Sequence, residues 1–368
     1  MPRFADLVGQ EPAINALRKA MTEDRLHGTW LMVGSPGVGR GTLARTFAQV
    51  VACQTPQKDP FDACGVCPSC RYADAGTHPE ILTIRPAGEQ IQIWQLWDRD
   101  GRPPGALSHT LSFAPVIGRK RVYILEAVER LTEAAANSLL KVLEEPPPYV
   151  LFVLTAPHPS RVLPTIVSRS QVLRLLPLPQ SRLSDYLRER YGLEPAQAYQ
   201  VAAISEGRIG QGIRLASNPQ ALREIENVFE LIEMIAVAPK GRALRLGEQM
   251  RKLAGELKSL FEEEKANPES AEGEPTTQRE QAARRQFAAL FDLMVIFYRD
   301  LFLLSTCGPE TAIVNVHRRS ALARIAQKAP PLRWQRAIDA ILLARRRLDF
   351  NANIALLTDT LLMQLLAD

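Results

Sequence analysis

Nine residues constrain this chain more than any others: Gly34-Ser35-Pro36-Gly37-Val38-Gly39-Arg40-Gly41-Thr42. They follow an apolar run, Trp30-Leu31-Met32-Val33, and open a helical pattern, Leu43-Ala44-Arg45-Thr46-Phe47-Ala48. Strand, glycine-rich loop and helix in that order make a phosphate-binding loop, where backbone N–H groups at a helix N-terminus face an anion. Gly34 and Gly39 fit the template G-x-x-x-x-G-K-[ST]. Arg40 stands where the lysine belongs, and Gly41 where the Ser/Thr belongs. Arg40 keeps a positive charge but as a planar fork. Gly41 offers a metal nothing. Thr42 comes one residue late, turned by roughly 100° around the helix. Gly34, Gly37, Gly39, Arg40, Gly41 and Thr42 therefore keep a backbone that can hold phosphates passively, without the two side chains that use them.

A second segment repeats the loss. Val122-Tyr123-Ile124-Leu125-Glu126-Ala127 reads as a buried strand followed by the place where such enzymes put a metal-binding Asp and a water-activating Glu. Glu126 occupies the first position, and Ala127, which cannot accept a proton, the second.

Further strands are expected at 81–84, 150–155 and 172–175. With helices at 9–21, from the loop to Ala52, and at 133–143 (capped by Thr132 and stopped by Pro146-Pro147-Pro148), the first 176 residues read as an α/β domain with a parallel sheet. A helix start is expected over Ile91–Trp97 and a polar loop over 98–105. Trp94 and Trp97 have no assigned role. Beyond Pro179 the strands stop: three short helices at 181–190, 195–205 and 209–216 precede long amphipathic patterns at 285–306, 310–328, 332–348 and 353–366. The polar stretch 264–277 is expected as a disordered inter-helix loop.

Of five cysteines, Cys53, Cys64, Cys67 and Cys70 crowd into the segment 53–76, which shows no periodicity. In a chain without a signal-peptide-like start, the clustering favours metal over disulfides. Four thiolates can close a tetrahedral Zn²⁺ site, and an Fe–S cluster is the alternative. Cys307, on an apolar helix, is expected in the core. No run reaches the length of a membrane span, so the chain is expected in the cytoplasm. The net charge of +5 is compatible with a nucleic-acid partner and equally with a solvated surface.

Taken jointly, these residues resemble the clamp-loader branch of the AAA+ ATPases, as found in bacterial DNA polymerase III. The resemblance is carried by Asp6-Leu7-Val8-Gly9-Gln10, His27, the loop, the four-cysteine module, Gly76-Thr77-His78-Pro79-Glu80, Ala134 to Lys141 running into Leu143-Glu144-Glu145-Pro146-Pro147, and Ser168-Arg169-Ser170. These lie within about 6–170; the helical half carries no recognised motif. The resemblance implies a RecA-like AAA+ domain over 1–178 with a zinc module at 53–76, a helical lid over 179–218, and an all-α collar over 219–368. It implies a ring with ATPase subunits of the gamma/tau type and a delta subunit, which loads a sliding clamp onto primer-template DNA. Arg169 matches the arginine of the family's Ser-Arg-Cys motif, Ser170 departing from the cysteine, and would act as a finger on a neighbour's ATP. Thr155 matches a sensor position. Gly210 falls where motor subunits carry a second sensor arginine, a third loss of nucleotide chemistry. The expectation is a non-hydrolysing structural subunit; the alternatives are an active ATPase that uses Arg40, or a zinc-organised DNA-binding module.

Overall fold

Five short runs dominated by Val, Ile, Leu and aromatics form one parallel sheet in a computed structural model of the chain, which describes residues 2–26, 28–58, 60–257, 276–350 and 352–366. The chain divides into two compact units, Met1–Leu178 with Arg208–Gly210, and Pro179–Gly207 with Gln211–Asp368.

In the first unit, α1 (Glu11–Thr22) precedes β1 (Thr29–Val33), and the glycine-rich loop leads into α2 (Arg40–Ala52). A small hairpin, β2 (Gln57–Lys58) and β3 (Phe61–Asp62), is followed by α3 (Pro68–Asp74), β4 (Ile81–Ile84), the single turn α4 (Ile93–Leu96) and β5 (Arg121–Leu125). Then come α5 (Glu133–Glu144), β6 (Val150–Ala156), α6 (Pro164–Val167) and β7 (Ser170–Arg174). The sheet order is β4-β5-β6-β1-β7, with Met32 opposite Thr155 and Val33 flanked by Ala156 and Arg174. Alternation along the strands fills both faces. Trp30, Met32, Val122, Ile124, Leu151 and Val153 pack with Leu17 of α1 and Phe47 of α2. Leu31, Val33, Tyr123, Leu125, Phe152 and Leu154 pack with Leu139 and Leu143 of α5. The register partners Tyr123 and Phe152 stack at 5.2 Å, an arrangement worth about 0.5–1.5 kcal/mol beyond burial. Thr132 caps α5 by accepting from the Ala135 N–H at 3.3 Å. Trp97 packs into this second core and donates to the Ser138 hydroxyl at 2.9 Å, which gives it a structural role. Trp94 lies under the Arg102 guanidinium, 5.5 Å from ring centroid to Cζ.

The cysteine segment is more ordered than its composition predicts, since it folds into the β2–β3 hairpin and α3. A buried carboxylate organises it: Asp62 accepts from the Phe4 and Ala5 N–H groups and meets Arg18, tying the N-terminal residues to the hairpin.

The second unit is helical among the described residues: α7 (Gln180–Tyr191), α8 (Pro195–Ile204), α9 (Ile209–Ser217, whose first two residues group with the first unit), α10 (Pro219–Val237), α11 (Ala243–Glu256), α12 (Thr276–Cys307), α13 (Arg319–Ala326), α14 (Pro331–Asp349) and α15 (Ile354–Leu365). The helix expected over 310–328 is shorter than its pattern. Asp300, fully buried on α12, accepts from the backbone N–H groups of Val314 and Asn315 and from the Asn315 amide, and these bonds hold residues before 316 out of a helix. Cys307 is also corrected: it is exposed, because it ends α12 as the chain turns at Gly308. Of the expected loop 264–277, residues up to 275 lie outside the described residues, as does His27, while Thr276 and Thr277 open α12. No described helix is long and apolar enough to cross a membrane.

Candidate functional site

The loop is shaped by two close approaches. At Gly34 an added Cβ would stand 2.7 Å from the Leu175 carbonyl oxygen, so the loop leaves β1 hard against the residue that follows β7. Gly39 caps α2 with φ +100°, in the left-handed region that glycine alone enters freely. Its hydrogen leaves the first turn of α2 without a side-chain cap, and that turn has no acidic residue. The loop tip is latched from a distant stretch of sequence, where the Gly210 N–H donates to the Gly37 carbonyl at 2.8 Å. Gly210 therefore contributes a backbone contact to the loop.

In front of the loop, at the carboxyl ends of β1, β5, β6 and β7, lies an open cavity of about 860 Å³. Ligands bind at this end of open parallel sheets. Its walls include Gly34, Ser35, Pro36, Arg40, Ala127, Glu129 and three further arginines, Arg130, Arg161 and Arg174. Burial pulls the Arg40 guanidinium below its ordinary pKa, and the charges of Glu129 and Glu126 oppose that pull. One of its terminal nitrogens, Nη1, is buried without a hydrogen-bond partner. Thr42 is half-buried one residue into α2 beyond Gly41.

Behind Gly41 the geometry is different. Arg45, one helical turn further along α2, donates from Nη1 to Glu126 Oε1 at 2.9 Å. Arg85, after β4, donates from Nε to Glu126 Oε2 at 3.0 Å. Both carboxylate oxygens are thus engaged by guanidinium groups. A Cβ on Gly41 would lie 3.4 Å from Arg45 Nη1 and 3.5 Å from Glu126 Oε1, so the space a metal-binding hydroxyl would need is bordered by the arginine. A divalent metal does not fit these residues. No local pattern pointed to Arg45 or Arg85 as partners of Glu126; the available signal was an arginine four residues after Gly41, on the face of α2 that meets β5. Ala127 adopts φ +59°, and its N–H donates to Thr155 Oγ1 at 3.2 Å. Thr155, at the end of β6, is buried and turned to the backbone of Ala127.

Arg169 lies on another edge of this unit, just before β7. Its Nη2 meets Glu144 Oε2 at 3.2 Å and its Nη1 donates to the Thr165 carbonyl at 3.1 Å. The side chain is 30% exposed.

The four cysteines converge. Cys53 follows the last residue of α2, Cys64 lies between β3 and α3, Cys67 caps α3 and Cys70 lies within it. All four sulfurs lie within 4.8 Å of one another. Cys53–Cys64 is 3.6 Å, Cys53–Cys67 3.8 Å and Cys64–Cys70 3.9 Å. A tetrahedron with Zn–S bonds of about 2.3 Å has edges of roughly 3.8 Å, so these residues fit a four-thiolate metal. The N–H groups of Cys67 and Cys70 point at the sulfurs of Cys64 and Cys67, at 3.4 Å each. Burial opposes ionisation of Cys64, but hydrogen bonds from Thr55, Val66 and Cys67 outweigh it and bring the thiol to about 6. Burial pushes Cys53 and Cys70 up, which leaves those two thiols in need of a cation to ionise.

Residues 9–179 match the family described as "DNA polymerase III, delta subunit". The delta' subunit of Bacillus subtilis DNA polymerase III is 25% identical over 356 residues, covering 97% of this chain and 96% of its own. The delta' subunit of Pseudomonas aeruginosa is 36% identical over 222 residues, covering 57% of this chain and 63% of its own. In sequence the chain is similar to the delta-prime subunits of DNA polymerase III. The tau/gamma subunit of Haemophilus influenzae is 31% identical over 236 residues, and the match spans only 32% of that protein's length.

Proposed function

We propose that this chain is a non-hydrolysing subunit of the DNA polymerase III clamp loader, lending Arg169 to an ATP site on a neighbouring ATPase subunit of the gamma/tau type. The observation that carries the reading is the double engagement of Glu126 by Arg45 and Arg85, which takes up the carboxylate that a metal would need. Ala127, with no proton acceptor, supports it. The finger role needs a guanidinium at an interface. Arg169 is held by one partly exposed ion pair and one carbonyl, and such a pair is worth at most about 1 kcal/mol, so a stronger anion next door can take it over.

On this reading residues 1–178 form an AAA+ domain, 179–218 a lid and 219–368 a collar through which the loader's gamma/tau-type and delta subunits are met. The sliding clamp and primed DNA are handled by the complex. Cys53, Cys64, Cys67 and Cys70 hold one structural Zn²⁺, closed because protein ligands fill all four positions.

The test is reconstitution with the partner ATPase subunits. The isolated chain is expected to turn over no ATP, and Arg169→Ala to cut turnover by the assembled loader by about 10³-fold. Normal turnover by the Arg169→Ala complex would refute the finger role, and turnover by the isolated chain would refute the non-hydrolysing reading.

A further inference from the structure

α14 carries more leucine than its place in the second unit needs. Trp334, Ala337, Ile341, Ala344 and Leu348 recur every three or four residues and are buried, and Trp334 meets Tyr298 of α12 at 6.2 Å between ring centroids. That stripe is enough to seat the helix on its neighbour. Leu332, Leu342 and Leu343 lie outside it, 53%, 40% and 45% exposed. Leu332 and Leu343 border a groove of about 720 Å³, whose lining also includes Leu365, the last residue of α15. Exposed apolar residues gathered at a concavity mark a binding surface.

The charge around the groove is one-sided. Lys328, Arg333 and Arg336 line it against a single carboxylate, Asp339. None of the three cations has an ion-pair partner among the described residues. The bias extends along the chain. Residues 319–349, which hold α13 and α14, contain eight Lys and Arg against two Asp, a surplus of six where the whole chain carries +5. The positive balance of the protein is therefore concentrated here.

These features select the occupant. A second copy seated on the same patch would set the cations against themselves, because a two-fold contact pairs each surface with itself. A bilayer or a phosphate backbone would satisfy the cations but leave leucines in a concavity uncovered. A seam between folded subunits takes a broad face of about 800 Å² on each side. Leu332 to Leu343 spans only about three helical turns, roughly 16 Å, the length of one short helix.

We propose that the groove between α14 and the end of α15 docks a short acidic amphipathic helix of a partner protein, its apolar side chains entering between Leu332 and Leu343 and its carboxylates meeting Lys328, Arg333 and Arg336. Such helices bind apolar grooves through side chains at helical spacing, while rim charges set specificity and encounter rate. Docking here is independent of Arg169 and of nucleotide, so it and the finger role can fail separately.

The experiment is fluorescence anisotropy of the full chain with three labelled peptides of about four turns: one with a leucine stripe flanked by glutamates, the same with lysines for the glutamates, and an acidic one with the stripe scrambled. The acidic amphipathic peptide should bind, more weakly as salt rises, and the other two about tenfold or more weakly. Leu332→Ser with Leu343→Ser changes exposed side chains and should melt like the parent while losing about tenfold or more in affinity. Lys328→Glu with Arg336→Glu should exchange the preference, releasing the acidic peptide and taking the lysine one. Both double variants should still assemble with the ATPase subunits. No binding of the acidic peptide, equal binding of the scrambled one, or an unexchanged preference would each overturn the proposal. So would loss of assembly in the leucine variant, which would make the groove a subunit seam, or a dimer of the parent that this variant abolishes, which would put a second copy there. Tighter leucine-dependent binding of anionic vesicles or of a single-stranded oligonucleotide would replace the helix by a membrane or by nucleic acid.

Discussion

Glu80 offers the sharpest test of how the sheet edge near the cysteine module is held. Its carboxylate is buried between α3 and the start of β5. Oε1 accepts from the N–H groups of Val116 at 2.6 Å and Ile117 at 3.0 Å, and Oε2 from Gly118 at 2.9 Å. His78 stands 3.7 Å away and hydrogen-bonds Ser69, the neighbour of Cys70, at 2.9 Å. Burial alone would raise the Glu80 pKa; the three N–H groups and His78 outweigh it and hold the group below the usual range. Glu80→Gln keeps one acceptor oxygen and the shape. It replaces Oε2 by an NH₂ that faces the Gly118 N–H, donor against donor, and it removes the charge from the other two bonds. A hydrogen bond to a charged group contributes about 1.5–3 kcal/mol, so losing one and weakening two should cost about 2–4 kcal/mol. For a unit of this size that lowers the melting temperature by about 5–15 °C.

The pH dependence fixes the sign. A folded pKa below the unfolded value of about 4.3 means that the unfolded chain binds the proton more readily, so stability rises with pH through that window. The difference between wild type and Glu80→Gln should be full above about pH 5 and close as pH falls through the depressed folded value. The assay is thermal unfolding from pH 3.5 to 7.5, with amide exchange at residues 116–118 reporting which unit opens. Melting within about 1 °C of wild type at pH 7, with the Gly118 amide still protected, would refute the reasoning.

Thiol reactivity separates Cys307 from the rest: the native, metal-replete chain should show one fast thiol and about one zinc per chain, with four more thiols appearing after a strong chelator. Five fast thiols and no metal would exclude the four-cysteine centre as a metal site, and iron with a visible chromophore would replace zinc by a cluster. Two glycines of the loop should respond in opposite directions to alanine. Gly34→Ala places a Cβ 2.7 Å from a backbone oxygen and should destabilise by about 1–3 kcal/mol, whereas at Gly41 the nearest contacts are 3.4 Å or more and alanine should gain up to about 1 kcal/mol from helix propensity. Melting temperatures in the reverse order would contradict the placement of the loop.

The parallel sheet was legible because its central strands β1, β5 and β6 are compact apolar runs, and a strand buried on both faces has no polar alternation to blur it; the edge strand β7 is mostly exposed and begins two residues before its apolar run. The glycine-rich loop between β1 and α2 was legible from spacing alone. What the sequence hid were contacts between distant stretches. Arg45 and Glu126 are 81 residues apart, Arg85 and Glu126 are 41 apart, and Gly37 meets Gly210 through backbone atoms that no side-chain pattern encodes. The cavity arginines escaped for the same reason, since Arg40 opens α2, Arg130 and Arg161 follow β5 and β6, and Arg174 ends β7. Cys307 was misjudged because an apolar stripe says which face of a helix is buried and not where the helix leaves the core. The helix expected from 310 was misjudged because Asp300, fourteen residues upstream of Val314, competes for the backbone donors.

On the non-hydrolysing reading proposed above, loss of catalysis and gain of structure are a single change at this site. A carboxylate at the end of β5 in a working site depends on a metal that arrives with nucleotide, so its surroundings are settled only when ligand is bound. Arg45 and Arg85 give Glu126 a permanent countercharge instead. Each partly exposed pair contributes at most about 1 kcal/mol, too little to explain the fold but enough to hold α2, β4 and β5 in one arrangement whatever occupies the cavity. β5 and β6 are register partners, α5 packs on both, and Glu144 at the end of α5 holds Arg169. A first unit whose sheet does not respond to its own nucleotide would present Arg169 at a constant position. That is what a finger serving another subunit's cycle requires, since its timing must follow the neighbour's ATP and not its own.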